Sequence, residues 1–123
     1  MLTPIAYGLA VVLDLFILFI GLQFLRAPQA AAAGYGVPAK KDGDAVYLTV
    51  KGQRDSVYGI VGLVLLFFVG VHAEAWFMLA VALLPFSDTF IVLRNGGTKA
   101  VAFGIHFATA VVVLICAVLL FLA

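Results

Sequence analysis

Strongly polar positions in this chain are grouped, and the groups divide four long apolar runs. The first run, residues 5–25, carries only Asp14 and Gln23 as strongly polar positions. At about 1.5 Å per helical residue it spans about 30 Å, the thickness of one hydrocarbon core. Thr3 can cap this helix and Pro4 suits its first position. Residues 1–10 hold no Lys or Arg, unlike the n-region of a secretory signal, so the run reads as a retained first transmembrane helix. Arg26-Ala27-Pro28 ends it. Residues 30–44, with Gly34, Gly36, Pro38, Gly43 and the pair Lys40-Lys41, read as a long loop, partly laid in the interface by Tyr35, and as a candidate lid. Asp44 can cap a second helix over 45–69, amphipathic at its start and apolar at its end. Small residues Gly52, Ser56, Gly59 and Gly62 offer it a surface for close helix contact. Gly70-Val71-His72-Ala73 reads as a tight turn. Glu74 then suits the positive end of a third helix over 75–93, with a kink expected at 82–85 from Pro85. Arg94-Asn95-Gly96-Gly97 is a turn, and Thr98 caps a fourth helix over 99–122. The first helix, about residues 4–25, completes the set. One long and two short connections predict a single all-α domain over 1–123, an up-down bundle of four transmembrane helices.

Composition agrees with this pattern. The chain has 123 residues, 66% hydrophobic and 11% charged, with mean hydropathy +1.25. A soluble domain carries about 25% charged residues. A net charge of +1 leaves no basic surface for nucleic acid, so the bilayer is the expected partner. The single Cys116 has no partner for a disulfide and reads as a small residue in an apolar run.

Charge sets orientation and depth. Arg26, Lys40, Lys41, Lys51 and Arg54 belong to the first connection or the adjacent start of the second helix, and Arg94 and Lys99 flank the third connection. In an up-down bundle both connections share one side. The positive-inside rule places that side in the cytoplasm of a plasma (inner) membrane and both termini outside. Counted from that side, Arg54 and Asp55 lie about 15 Å deep, Asp88 about 9 Å, His106 about 10 Å and Asp14 about 18 Å. Four helices thus send ionisable groups into one layer. Each is costly there, about 2.5–3.5 kcal/mol for a carboxylate at the midplane on insertion scales.

Such groups face the bundle interior or a wet cavity and pair with one another. One reading is an ion-pair network that only fixes packing: Arg54 with Asp88 or Asp14, and Lys51 with Asp55. The other is a pocket for acid–base chemistry. Two carboxylates in one low-dielectric site divide into acid and base, an Arg stabilises an oxyanion, and a His shuttles a proton. Asp88 and His106 lead as the acid–base pair, followed by Arg54 and Asp55, with Asp14 last. Lys51, Tyr58 and Thr109 add substrate contacts. His72 falls at the opposite end from His106, so no metal site is expected, and no nucleotide or cofactor fingerprint is present.

Tyr35-Gly36-Val37-Pro38, Lys51-Gly52-Gln53-Arg54-Asp55 with Gly59, Asp88 before Val92-Leu93-Arg94-Asn95-Gly96-Gly97, and Lys99 through His106 to Thr109-Ala110 resemble a family of small four-helix integral membrane proteins of unknown function. That family is similar to the DoxX-like membrane proteins. The resemblance implies the bundle and no activity. The chain also resembles small membrane proteins of fungal polyketide pathways assigned to epoxide opening. Limonene-type epoxide hydrolases use an Asp-Arg-Asp set, for which Asp55 or Asp14, Arg54 and Asp88 supply the residue types. The resulting expectation is a cofactor-independent membrane enzyme opening or isomerising an epoxide on a small lipophilic molecule. The alternatives are a proton-coupled or small-solute transporter, working as a homo-oligomer, and a structural or partner-binding subunit.

Overall fold

The computed structural model describes residues 1–40 and 43–123; Lys41, counted above among the cations of the first connection, lies outside the described residues. Every regular element described is helical. They are α1 (Leu2–Arg26), α2 (Pro28–Tyr35), α3 (Ala45–Val69), α4 (Val71–Arg94) and α5 (Lys99–Leu122). All but α2 are long and apolar enough to cross a membrane. Their outer faces suit lipid: Phe19, Phe68, Trp76 and Phe90 are all more than half exposed, an arrangement that water would penalise and hydrocarbon does not.

The boundaries differ from the sequence expectation in two places. The loop expected over 30–44 begins instead with α2. Pro28 occupies the first turn of that helix, four consecutive alanines favour its continuation, and Gly36 ends it in the left-handed region at φ 109°. The turn expected at 70–73 narrows to Gly70 alone, at φ 147°, and α4 starts directly at Val71. Within α4 the helix is interrupted at Ala82, three residues before Pro85. Proline has no N–H to return to Val81, so this turn lacks one rung. Two π-helical turns, Leu65–Val69 and Ala102–Phe107, end α3 and open α5. The second carries His106.

α1 and α3 run antiparallel in close contact. Gly21 of α1 faces Gly52 and Ser56 of α3, and Gly59 faces Asp14 and Leu18. At these points the backbones come so near that a Cβ has no room, the close approach that small residues allow inside a membrane. The ends of the bundle away from the cations are filled by small and medium side chains: Ala6, Ala10, Leu66, Ala75, Met78, Cys116, Ala117 and Leu120. That end is solid. The end bearing Arg26, Lys51 and Arg94 is not, and α2 folds across it.

Candidate functional site

The buried stripes of the helices carry the polar groups inward. On α1, Ala6, Ala10, Asp14, Gly21 and Phe24 recur at helical spacing, so Asp14 shares the inward face. On α5 the stripe is Ala102, His106, Ala110, Val113, Ala117 and Leu120. Asp55 on α3 and Asp88 on α4 complete a ring around a cavity of about 160 Å³. Its walls include Ile17, Ile20, Phe77, Met78, Leu84 and Val113. Its polar lining is Asp14, Tyr35, Lys51, Asp55, Tyr58, Asp88, His106 and Thr109. A wider hollow of about 460 Å³ lies on the outer side of α1, between Phe19 and Arg26, but among the described residues α1 alone lines it.

The contacts fall into two linked sets. Lys51 donates to Asp55 Oδ2 at 2.8 Å, one helical turn apart. The same ammonium lies 4.8 Å from the centre of the Phe24 ring and 5.2 Å from that of Tyr35, so aromatic faces shield it where water is scarce. The second set centres on Tyr35. Its hydroxyl donates to Asp88 Oδ1 at 2.6 Å, and its backbone carbonyl accepts from His106 Nε2 at 2.7 Å. The Tyr35 and His106 rings are tilted together with centroids 4.6 Å apart.

This geometry assigns the histidine tautomer. A carbonyl oxygen only accepts, so Nε2 carries a hydrogen. In the neutral ring Nδ1 is then a bare lone pair, 3.9 Å from Asp88 Oδ2. That gap exceeds a hydrogen bond, and a donor hydroxyl beside it would meet two acceptors at once. His106 reaches this position from the π-helical turn Ala102–Phe107, in which Ala108 N–H returns to the Phe103 carbonyl. Such turns recur at functional sites. Thr109 donates to Ile105 within its own helix at 2.6 Å, and Tyr58 packs against the Phe77 ring with centroids 6.5 Å apart.

α2 is held in place over the mouth by backbone fit. A Cβ on Gly36 would meet Val101 at 2.8 Å and Val92 at 3.1 Å, and Gly97 lies against the Gly36 carbonyl. The motifs Tyr35-Gly36 and Gly96-Gly97 are thus two halves of one contact. It is this contact that delivers Tyr35 to Asp88 and His106.

A family model for a domain of unknown function, DUF4267, matches residues 15–120. This chain belongs to the DUF4267 family. The match takes in every cavity residue except Leu13 and Asp14. No curated protein and no solved structure matches the chain. Membership of the DUF4267 family brings no activity with it, so the reading of the site rests on geometry.

One expected member of the polar layer is displaced. Arg54 is exposed and does not line the cavity. Its depth along α3 matches that of Asp55, but neighbouring helical residues are rotated about 100° apart, so the two cannot share a face. The expected Arg54 pairings with Asp88 or Asp14 give way to Tyr35–Asp88 and to a contact between Asp14 and Glu74. Two residues escaped the sequence reading. The sequence places Tyr35 at the interface, because nothing local shows that its segment folds back over the bundle. The sequence places Glu74 at the helix end, yet it is fully buried. Its spacing to Met78 and Ala82 was the available signal, since all three lie on one helical face.

Burial, and next the Asp88 carboxylate that accepts its hydrogen bond, push the Tyr35 hydroxyl above the usual phenol range. Tyr35 therefore stays a donor at every physiological pH. The unfolded chain releases this proton near the ordinary value of 10.0 while the folded one retains it. The stability it contributes is complete below that pH and declines as pH rises above it. Tyr35→Phe is expected to remove this alkaline component from the pH dependence of the melting temperature, together with one late-titrating phase of phenolate absorbance. An unchanged late phase in Tyr35→Phe would assign it to another tyrosine.

Proposed function

We propose that this protein is a membrane enzyme that performs acid–base chemistry on a small lipophilic molecule, with epoxide opening as the reaction that fits the cavity. The observation that supports this reading is the convergence of Asp55, Asp88 and His106, from three different helices, on one largely apolar cavity capped by Tyr35. A cavity near 150 Å³ admits a benzene-sized group, whereas whole drug-sized ligands need about 300–1,000 Å³. The reactive head of a substrate would thus occupy the cavity while its tail stays in lipid between helices. The mouth lies at the cation-bearing end, which the positive-inside tendency assigns to the cytoplasm.

The roles follow from the contacts. Water beside Asp88 Oδ2 and His106 Nδ1 gives up a proton to that pair and attacks an epoxide carbon. The carbon–oxygen bond breaks, and the departing oxygen takes a proton from the Lys51–Asp55 set across the cavity. The product is a vicinal diol. The Asp-Arg-Asp scheme is modified here, because Arg54 is outside the cavity and Lys51 is the cation that lines it.

The test is turnover by the purified protein in lipid nanodiscs. A panel of small lipophilic epoxides in ¹⁸O-labelled water is expected to give labelled diol above the rate of empty nanodiscs. Equal rates across the panel would set the epoxide reading aside and leave the polar layer as a packing device.

A further inference from the structure

A second pair of acidic groups, unused by the chemistry at the mouth, sits deeper in the bundle. Asp14 projects from the middle of α1 and Glu74 from the first turn of α4. Asp14 is 2% exposed and Glu74 0%. Their carboxyl groups lie within hydrogen-bonding reach of each other. Asp14 Oδ2 and both Glu74 carboxyl oxygens are buried without a hydrogen-bond partner among the described residues.

What faces the pair is almost wholly apolar. α3 presents Gly62, whose missing side chain leaves the space that the Asp14 carboxyl fills. α5 presents the buried thiol of Cys116. On α4 the next inward residues are Ala75 and Met78. On α1, Tyr7 donates instead to the Leu66 carbonyl, at 3.3 Å. Among the described residues no Lys, Arg or His lies within ion-pair distance of either carboxyl group.

Two bare carboxylates in this setting would repel each other without water to weaken the interaction, and each would have lost its hydration. One proton removes the repulsion and gives the remaining carboxylate a hydrogen-bond donor, because a protonated carboxyl can donate to its neighbour. A metal cation would fit the donor set poorly. Hard cations take about six or more oxygens, and no group of three metal-ligating side chains occurs among the described residues. The ligand that this pair is built for is the proton.

We propose that Asp14 and Glu74 form a proton-binding site that exchanges with the cavity through Asp14. Asp14 lines the cavity and Glu74 does not, so Asp14 is the exchanging member and Glu74 the inner one. The same cavity leads on to Asp55, Asp88 and His106. A proton held at the pair therefore has a polar route to the mouth. The proton site does not depend on the substrate of the cavity.

Infrared spectroscopy of the full-length protein in nanodiscs tests it. At neutral pH the wild type is expected to show the carbonyl stretch of a protonated carboxylic acid, shifting within minutes of transfer to D₂O. Asp14→Asn and Glu74→Gln are each expected to shift or remove that band, while Asp44→Asn, just before α3 and far from the pair in sequence, leaves it in place. Absence of the band in the wild type would overturn the proposal, and that measurement needs no variant to fold. A band that resists D₂O for hours would overturn the exchange with the cavity. A band unchanged in both Asp14→Asn and Glu74→Gln would assign the proton elsewhere and overturn the site.

Discussion

If the cavity opens epoxides as proposed, replacing Asp88 by Asn is expected to lower that turnover by about 10²–10⁴-fold, the usual contribution of one positioned acid–base group, with little loss of fold. Asn keeps an oxygen able to accept from the Tyr35 hydroxyl, so the 2.6 Å contact that holds α2 over the mouth survives. What changes is the second position. In the wild type an acceptor, Oδ2, stands 3.9 Å from His106 Nδ1, and the two share access to a donor hydroxyl. In the variant an NH₂ group takes that place and can donate to Nδ1, occupying the base. The rate of diol formation and the melting temperature, measured on the same preparation, separate the outcomes. A large fall in rate with stability changed by no more than about 1 kcal/mol supports a chemical role for Asp88. Full turnover removes Asp88 from the mechanism. Loss of stability in proportion to loss of rate would make the Tyr35–Asp88–His106 set a packing device.

The second large effect concerns the seam between α1 and α3. Gly59→Val is expected to prevent correct packing of the helix pair and leave little folded protein. Even a single Cβ at Gly59 would lie 2.6 Å from the Asp14 carbonyl oxygen, 2.8 Å from Leu18 Cβ and 3.0 Å from Leu18 N. Two of these three atoms are backbone, so no rotamer change relieves the overlap and α1 must move away. Overpacking of this kind costs about 1–3 kcal/mol where side chains can adapt, and more where they cannot. Displacing α1 also withdraws Asp14 from the cavity. Gly8, on the same helix with nothing within 4 Å of its virtual Cβ, is the control: Gly8→Ala should be neutral or stabilising by about 0.5–1 kcal/mol. Size-exclusion profiles and thermal unfolding in one detergent would show the contrast. A Gly59→Val protein as stable as Gly8→Ala would mean that the two helices are not in the close contact described.

The two experiments address different levels of one design. Gly21, Gly52, Gly59 and Gly62 bring α1 and α3 together, and small alanines close the terminal end of the bundle. With that end solid, the opposite end can hold a cavity without loss of the bundle. α2 then supplies the cover, because Gly36 fits against Val92, Gly97 and Val101.

Much of this architecture is legible before any coordinates. Four apolar runs of spanning length predict four membrane helices, because transfer into hydrocarbon depends on local composition summed over about 20 residues. The depth of Asp14, Asp55, Asp88 and His106 follows from counting along helices, since the rise per residue is constant. The Lys51–Asp55 pair is likewise local, one turn of one helix. Azimuth and partnership between helices are different. Arg54 and Asp55 have the same depth, but only packing of α3 against α1 decides that Asp55 turns inward and Arg54 outward. Glu74 looks like a helix-end residue until the bundle closes and its carboxyl group meets that of Asp14 across the interior. Tyr35 stands in a stretch of loop-like composition, and its contacts with Asp88 and His106 bridge 53 and 71 residues of chain. By itself the sequence determined the spans, the layer and the residue types within it, because those depend on neighbours in the chain. Which of those residues meet was decided by the tertiary structure, because contact between helices depends on rotation about each axis and on how closely glycines let them approach.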